Sequence, residues 1–135
     1  MKKTLFTGVG TALLTPFANG EIDLPALRQL VDFQVANGVD ALIANGTTGE
    51  PSTMTDDEWA LVLKTVVEQA AGRVPVIAGT GGNNTAAVIQ KAKLAKELGA
   101  DAQLCVTPYY NKTTQAGLVA HYQAIARNTE LPVII

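Results

Sequence analysis

The strongest constraint on this chain is an order of patterns that recurs along it. A short apolar run, a loop rich in small polar residues and a longer segment of helical period follow one another four times, and a fifth apolar run then begins. The apolar runs are Gly8 to Pro16, Val39 to Asn45, Val74 to Ala78, Asp101 to Val106 and Leu131 to Ile135. Their starts lie roughly 27 to 35 residues apart, the size of one βα unit. Each run is apolar nearly throughout instead of alternating, which is the mark of parallel strands covered on both faces. No tight sequence repeat accompanies the recurrence.

The segments between the runs carry helix punctuation. Asp23 is placed to cap a helix from Leu24 to Asn37, with Pro25 in its first turn and Gly38 after its end. Leu24, Leu27, Leu30, Val31 and Val35 give that helix one apolar face. Thr55 stands three residues before Glu58, the spacing of a capping box, and the helix it opens ends near Ala71-Gly72. Asn84 caps a third helix through Leu98, closed by Gly99, and a fourth runs from about Thr114 to Asn128. Asp56, Asp57 and Glu58 fall in a first turn, where negative charge favours the helix dipole, so they read as capping and not as an acid/base pair. Lys91, Lys93 and Lys96 read as a solvated helix face. His121 reads as a satisfied or exposed helical histidine.

Composition narrows the function classes. The chain is 47% hydrophobic and 16% charged, so an ordered domain is expected. A net charge of -2 without a basic run argues against nucleic acid or an anionic membrane as partner. No apolar stretch approaches the length of a membrane span. Met1 to Phe6 holds two lysines, but Gly8, Gly10 and Thr11 follow in place of an apolar signal region. The single cysteine, Cys105, cannot form an internal disulfide and reads as a buried reduced thiol. A cytoplasmic protein is the expectation. With one histidine and no ligand-spaced carboxylates, no metal site is expected.

Two α/β folds suit the order β-α-β-α-β-α-β-α-β. One is a doubly wound, flavodoxin-like sheet, for which this length is ordinary. The other is a (β/α)8 barrel, which needs about 250 residues and is here unfinished. The sequence stops inside Leu131 to Ile135, with no helix to cover that strand. Pattern alone leaves both folds open.

In either fold, chemistry belongs to the loops after the strand C-termini. Gly46-Thr47-Thr48-Gly49-Glu50 has the makings of an anion cradle. Gly46 and Gly49 allow unusual dihedrals and close backbone approach, so amides converge, and two threonine hydroxyls add donors. The loop lacks the lysine and the length of a Walker A motif. Read alone, it is equally a tight strand-to-helix connection with polar filler. Of the neighbours Tyr109 and Tyr110, one side chain is expected to face the mouth of the sheet, where a phenol donates, accepts or relays a proton.

Together, Gly46-Thr47-Thr48-Gly49-Glu50 and Thr107-Pro108-Tyr109-Tyr110-Asn111-Lys112 resemble the dihydrodipicolinate synthase family, part of the wider pyruvate-aldolase group that includes N-acetylneuraminate lyase. Thr11 to Phe17, Pro75 to Gly81 and Leu131 to Ile134 add to the resemblance in register, which covers all 135 residues. It implies the N-terminal half of a (β/α)8 TIM barrel, about four βα units plus the fifth strand, with residues 1–135 forming one partial domain truncated inside that strand. It implies a class I aldolase of lysine biosynthesis, in which a lysine forms a Schiff base with pyruvate and the enamine attacks aspartate semialdehyde. No cofactor is called for. Thr47 would belong to a proton relay, and Thr48, with Gly46 and nearby amides, would hold the pyruvate carboxylate. Tyr110 would reach across a dimer interface to complete a neighbour's relay, with Tyr109 near the same interface. A homodimer or homotetramer is expected of the full-length parent.

The family's Schiff-base lysine lies on the sixth strand and its central tyrosine after the fifth, both beyond Ile135. The isolated chain is therefore expected to be inactive, since Lys112, in a solvated loop, is a poor substitute. Thr113 also stands where many relatives have proline. Open edges at strands one and five are expected to leave the half-barrel marginal by itself. Another class I pyruvate lyase, acting on a sialic or keto-sugar acid, is the alternative enzyme. A non-catalytic flavodoxin-like domain is the alternative of another class, opposed by the absence of an acidic cluster at Thr15-Pro16-Phe17.

Overall fold

The computed structural model describes residues 4–135, so the Lys2-Lys3 pair lies outside the described residues. From the N-terminus the elements are β1 (Gly10–Ala12), β2 (Phe17–Ala18), β3 (Glu21–Ile22), α1 (Leu24–Ala36), β4 (Ala41–Ala44), α2 (Asp56–Ala70), β5 (Val76–Gly79), α3 (Thr85–Glu97), β6 (Ala102–Leu104), α4 (Gln115–Asn128) and β7 (Val133–Ile134). Two 3-10 turns, Thr47–Gly49 and Pro51–Thr53, lie between β4 and α2. No helix among the described residues is long and apolar enough to cross a membrane.

Strand order separates the two candidate folds. The large sheet runs β1-β4-β5-β6-β7, and every neighbouring pair is parallel. A doubly wound sheet reverses direction at its switch point, and this one never does. Right-handed crossovers that always step the same way place their helices on one face. Helix α1 accordingly packs on α2, and α3 on α4. This is the first half of a (β/α)8 barrel.

The unbroken apolar runs follow from that layout. Leu42, Ala44, Val76 and Ala78 face the helices, where they meet Leu27, Val31, Trp59, Val62, Leu63 and Val66. The alternate residues Ala41, Ile77 and Ala102 line the inner face with Ile43, Leu104 and Ile134. Register puts Ile43 beside Ile77 and Leu104 beside Ile134. Leu5 and Phe6 pack onto this inner layer, the Phe6 ring close to Gly10 at the N-terminal end of the strands. A third cluster, Val88, Cys105 and Ile125, lies under α3 and α4.

The strands are shorter than their apolar runs because the runs continue into loops. Prolines mark two starts, yet the Pro75 and Pro132 carbonyls still accept from Leu42 N at 3.0 Å and Gln103 N at 2.9 Å. The turn at Ala18-Asn19-Gly20 proves to be the tip of a small hairpin, with Phe17 paired to Ile22. Asn19 and Gly20 both have positive φ, 55° and 84°, as a type I′ turn requires. The caps stand where the sequence places them. Asp23 accepts from Ala26 N, Thr55 and Glu58 form the full capping box, and Asn84 accepts from Ala86 N and Ala87 N. Thr114, expected inside α4, is its N-cap.

A short repeat escaped the sequence reading. Gly38-Val39-Asp40-Ala41 and Gly99-Ala100-Asp101-Ala102 occupy equivalent places after α1 and α3. Each glycine ends its helix with positive φ, 81° and 93°. Each aspartate accepts a backbone N–H from the preceding strand's start, Val9 to Asp40 and Val76 to Asp101, both at 2.8 Å. Between helices, Asp32 of α1 accepts from Arg73 at 2.6 Å and from Gln69 at 2.7 Å, and the Arg73 bond holds its carboxyl below the usual range.

His121 departs from expectation, being neither exposed nor fully satisfied. It is 6% exposed between α4 and α3, with Nδ1 at 2.8 Å from Thr85 Oγ1 and no partner for the buried Nε2 among the described residues. Burial lowers its pKa, because an imidazolium there would lose its water.

Two outcomes follow. Above about pH 6.5 His121 binds no proton folded or unfolded. Below that, the unfolded chain takes up the proton first, so stability falls as pH drops through the lowered folded value. Urea midpoints between pH 8 and 5 should fall in the parent chain and stay flatter in His121→Gln. Asp101→Ala should lower stability by about 1–2 kcal/mol by stranding the Val76 amide, whereas Asp101→Asn, which keeps an acceptor, should lose less in the same denaturation series.

Candidate active site

The loops after β4, β5 and β6 enclose a cleft of about 590 Å³ at the C-terminal end of the sheet, where barrels of this kind place their chemistry. Asn45, Gly46 and Thr47 contribute from β4, Gly79 and Gly81 from β5, and Leu104, Val106 and Tyr109 from β6. Pro51, Ser52, Trp59 and Lys91 complete the wall.

Close backbone contact brings the strand ends together. A side chain at Gly79 would overlap the Asn45 carbonyl, and one at Gly81 would overlap the Val106 amide. Trp59 Nε1 donates to the Gly79 carbonyl at 3.3 Å, and Asn45 Nδ2 donates to the Trp59 carbonyl at 2.9 Å.

The Gly46 to Glu50 loop coils into one 3-10 turn. Gly49 N donates to Gly46 O at 2.8 Å and Glu50 N to Thr47 O at 3.1 Å, while the Thr47 and Thr48 amides take no backbone partner among the described residues. Such leading amides are left free by any helical turn. The expected role of the glycine dihedrals needs correction. Gly46 has φ -68°, an ordinary value, and the positive angles fall on the flanking Asn45 and Glu50, 56° and 57°. The chain changes direction entering and leaving the turn, not within it. Asparagine tolerates that conformation well, and glutamate tolerates it less. Close approach does hold at Gly49, where an added Cβ would lie 3.2 Å from both Leu13 O and Thr15 Oγ1. Thr15 Oγ1 donates to the Gly49 carbonyl at 2.8 Å, tying the loop to β1.

The sequence-predicted residues divide between the cleft and its rim. Gly46 and Thr47 line the cleft, whereas Thr48 is exposed and is not part of its wall. Of the tyrosine pair, Tyr109 lines the cleft, its carbonyl accepting from Asn83 Nδ2 at 3.3 Å. Tyr110 has φ 65° and is 95% exposed, projecting into solvent. Lys112 is exposed and apart from the cleft wall. Thr80, in the glycine-rich loop after β5, turns away from the cleft and donates to Gln103 Oε1 at 2.9 Å beside Cys105. Cys105 is fully buried, and burial raises its pKa against a smaller opposing pull from the Thr80 hydroxyl.

Lys91 corrects another expectation. It is not simply a solvated lysine, for its Nζ lies 5.1 Å from the centroid of the Trp59 ring and 3.7 Å from Asp56 Oδ1. Trp59 and Lys91 come from positions without any loop motif, and only the helical register of α2 and α3 brings them to the cleft, while Ser52 enters from the second 3-10 turn.

Known proteins share the sequence and the fold of this chain. The model of the "Dihydrodipicolinate synthetase family" matches residues 5–135. The 4-hydroxy-tetrahydrodipicolinate synthase of Exiguobacterium sibiricum is 54% identical over 132 residues, 97% of this chain and 45% of that protein. That of Staphylococcus haemolyticus is 56% identical over 131 residues, again 97% of this chain and 45% of the relative. The dihydrodipicolinate synthase structure from Thermotoga maritima superposes with a TM-score of 0.94 at 48% identity, covering 96% of this chain and 44% of that one. The Aquifex aeolicus structure gives 0.93 at 49%, with coverage of 96% and 44%. The chain thus spans about half the length of the curated relatives it matches, 45% in the two quoted. With strand order, loop motifs and superposition in agreement, the chain belongs to the dihydrodipicolinate synthetase family.

Proposed function

We propose that this chain supplies the N-terminal half of the active site of an enzyme that condenses pyruvate with aspartate semialdehyde through a Schiff base, as 4-hydroxy-tetrahydrodipicolinate synthases do. The observation that carries the reading is the Gly46 to Glu50 turn, which brings Thr47 to a cleft at the strand C-termini and leaves the Thr47 and Thr48 amides without a backbone partner among the described residues. In this reading Thr47 passes a proton to or from the reacting carbon through its hydroxyl, and the turn's amides with Thr48 hold the pyruvate carboxylate. Converging N–H donors are suited to a small carboxylate and need no cofactor. Tyr110, projecting into solvent, serves a neighbouring subunit in a dimer or tetramer, with Tyr109 beside that contact.

The nucleophilic lysine is supplied from outside these residues. None of the described lysines is buried, and desolvation is what frees a lysine to act as a nucleophile near neutral pH. The other pyruvate lyases share this first half of the reaction, so the second substrate is what separates the two readings.

Incubation of the 135-residue chain with pyruvate and borohydride should leave its intact mass unchanged. A stable adduct on one lysine would overturn the assignment of the nucleophile. The condensation itself is testable by replacing the matching segment of the Exiguobacterium sibiricum relative with this chain. The chimera should consume pyruvate and aspartate semialdehyde, and Thr47→Val in it should lower kcat by about 10²–10⁴, the usual worth of a positioned proton carrier. A folded chimera that accepts sugar-derived aldehydes but not aspartate semialdehyde would favour the alternative lyase.

A further inference from the structure

The peptide between Gly49 and Glu50 is held at both ends. Its carbonyl accepts from Thr15 Oγ1 at 2.8 Å, and its N–H donates to Thr47 O at 3.1 Å, the bond that closes the turn onto Thr47. The same peptide leads into Glu50 at φ 57°, a left-handed value that glutamate adopts only against a steric cost. Turning this one peptide over would return Glu50 to negative φ, and it would break both bonds. Hydrogen bonding and strain therefore oppose each other across a single peptide of the Thr47 turn.

Thr15 is well placed to decide that balance. It is 6% exposed, lies just past β1, and precedes Pro16, which restricts its backbone to extended conformations. Leu13 N donates to Ile43 O at 2.9 Å and Pro16 O accepts from Asp23 N at 2.9 Å, so the segment is fastened on both sides of Thr15. Gly49 sits so near that an added Cβ would lie 3.2 Å from Thr15 Oγ1. Thr15 is not part of the cleft wall, so it acts on the site only through the turn.

We infer that Thr15 is a positioning residue, whose hydroxyl holds the Gly49–Glu50 peptide against the strain at Glu50 and so aims the Thr47 hydroxyl and the turn's amides. The inference deepens the reading above and rests on it, because Thr47 is the proton carrier there. Without the hydroxyl, the buried Gly49 carbonyl is left with no donor, which tips the peptide toward its turned-over state. Thr47 O then loses the Glu50 amide, and the Thr47 side chain loses its fixed aim. A displacement of about 1 Å in a positioned group can cost about 10²-fold in rate.

The test uses the chimera with the Exiguobacterium sibiricum relative. Amide exchange at Glu50 is read by mass spectrometry without substrate, and turnover is read separately. Thr15→Val keeps the shape and removes the donor. It should speed exchange of the Glu50 amide about tenfold, the usual worth of one hydrogen bond to a buried group, and lower kcat by about 10–10². Thr15→Ser keeps the hydroxyl and should hold both values within about threefold of the parent. In a Glu50→Gly background the strain is gone, so Thr15→Val should cost about threefold or less in each. A merely structural role for Thr15 would cost the same with glutamate or glycine at that position. Thermal melting checks folding, and Thr15→Ala, also without a donor, replaces the valine variant if that one does not fold. Unchanged Glu50 exchange in the variant without a donor, a loss that Thr15→Ser shares in full, or an equal loss in the Glu50→Gly background would overturn the inference. A chimera that does not turn over but shows the faster Glu50 amide counts against the proposed reaction and supports the clamp.

Discussion

Gly79 and Asn45 touch backbone to backbone, and the cleft exists because nothing larger than hydrogen stands between them. Trp59 closes the circuit by donating from its indole to the Gly79 carbonyl while accepting the Asn45 amide on its own carbonyl. Three residues from β4, α2 and β5 are thereby fixed against one another. The Thr47 turn starts two residues after Asn45, and Lys91 rests over the Trp59 ring. A rigid junction at the strand ends is what a loop-borne site needs, since small displacements of positioned groups carry large losses in rate.

Much of this was legible in the sequence because it is governed by local chemistry. The Thr55–Glu58 capping box, the Asp23 and Asn84 caps and the glycines after the helices each report a nearby backbone need. The two-faced strands were legible as well, since burial on both sides removes the alternation that one wet face imposes. Strand order was not, because β-α-β-α recurrence is common to wound sheets and barrels. Pattern left that choice open, and the resemblance of Gly46 to Glu50 and Thr107 to Lys112 favoured the barrel.

What the sequence hid was long-range or conformational. The positive angles at Asn45 and Glu50 carry no signal when glycines sit on the inner side of both. Lys91 looked solvated because two other lysines share its helix, and only the neighbouring Trp59 of α2 distinguishes it. His121 was misjudged for a similar reason. Its burial depends on how α4 meets α3, through Thr85, 36 residues earlier. The Gly-x-Asp-Ala repeat was visible but mute, since its meaning lies in the amide each aspartate finds on the strand before it.

Those aspartates have a consequence for how the chain comes together in time. Asp40 reaches back 31 residues to Val9, and Asp101 reaches back 25 to Val76. Each bond therefore joins a strand to its immediate predecessor and waits for nothing further along the chain. A parallel sheet is ordinarily slow to assemble because its pairings are distant in sequence. Here every pairing in the large sheet spans a single crossover, and in two of the four a carboxylate at the start of the incoming strand anchors it at the end opposite the cleft. The sheet is thus suited to growth by addition at one edge, as a chain leaving the ribosome would present it, with each new helix laid beside the last.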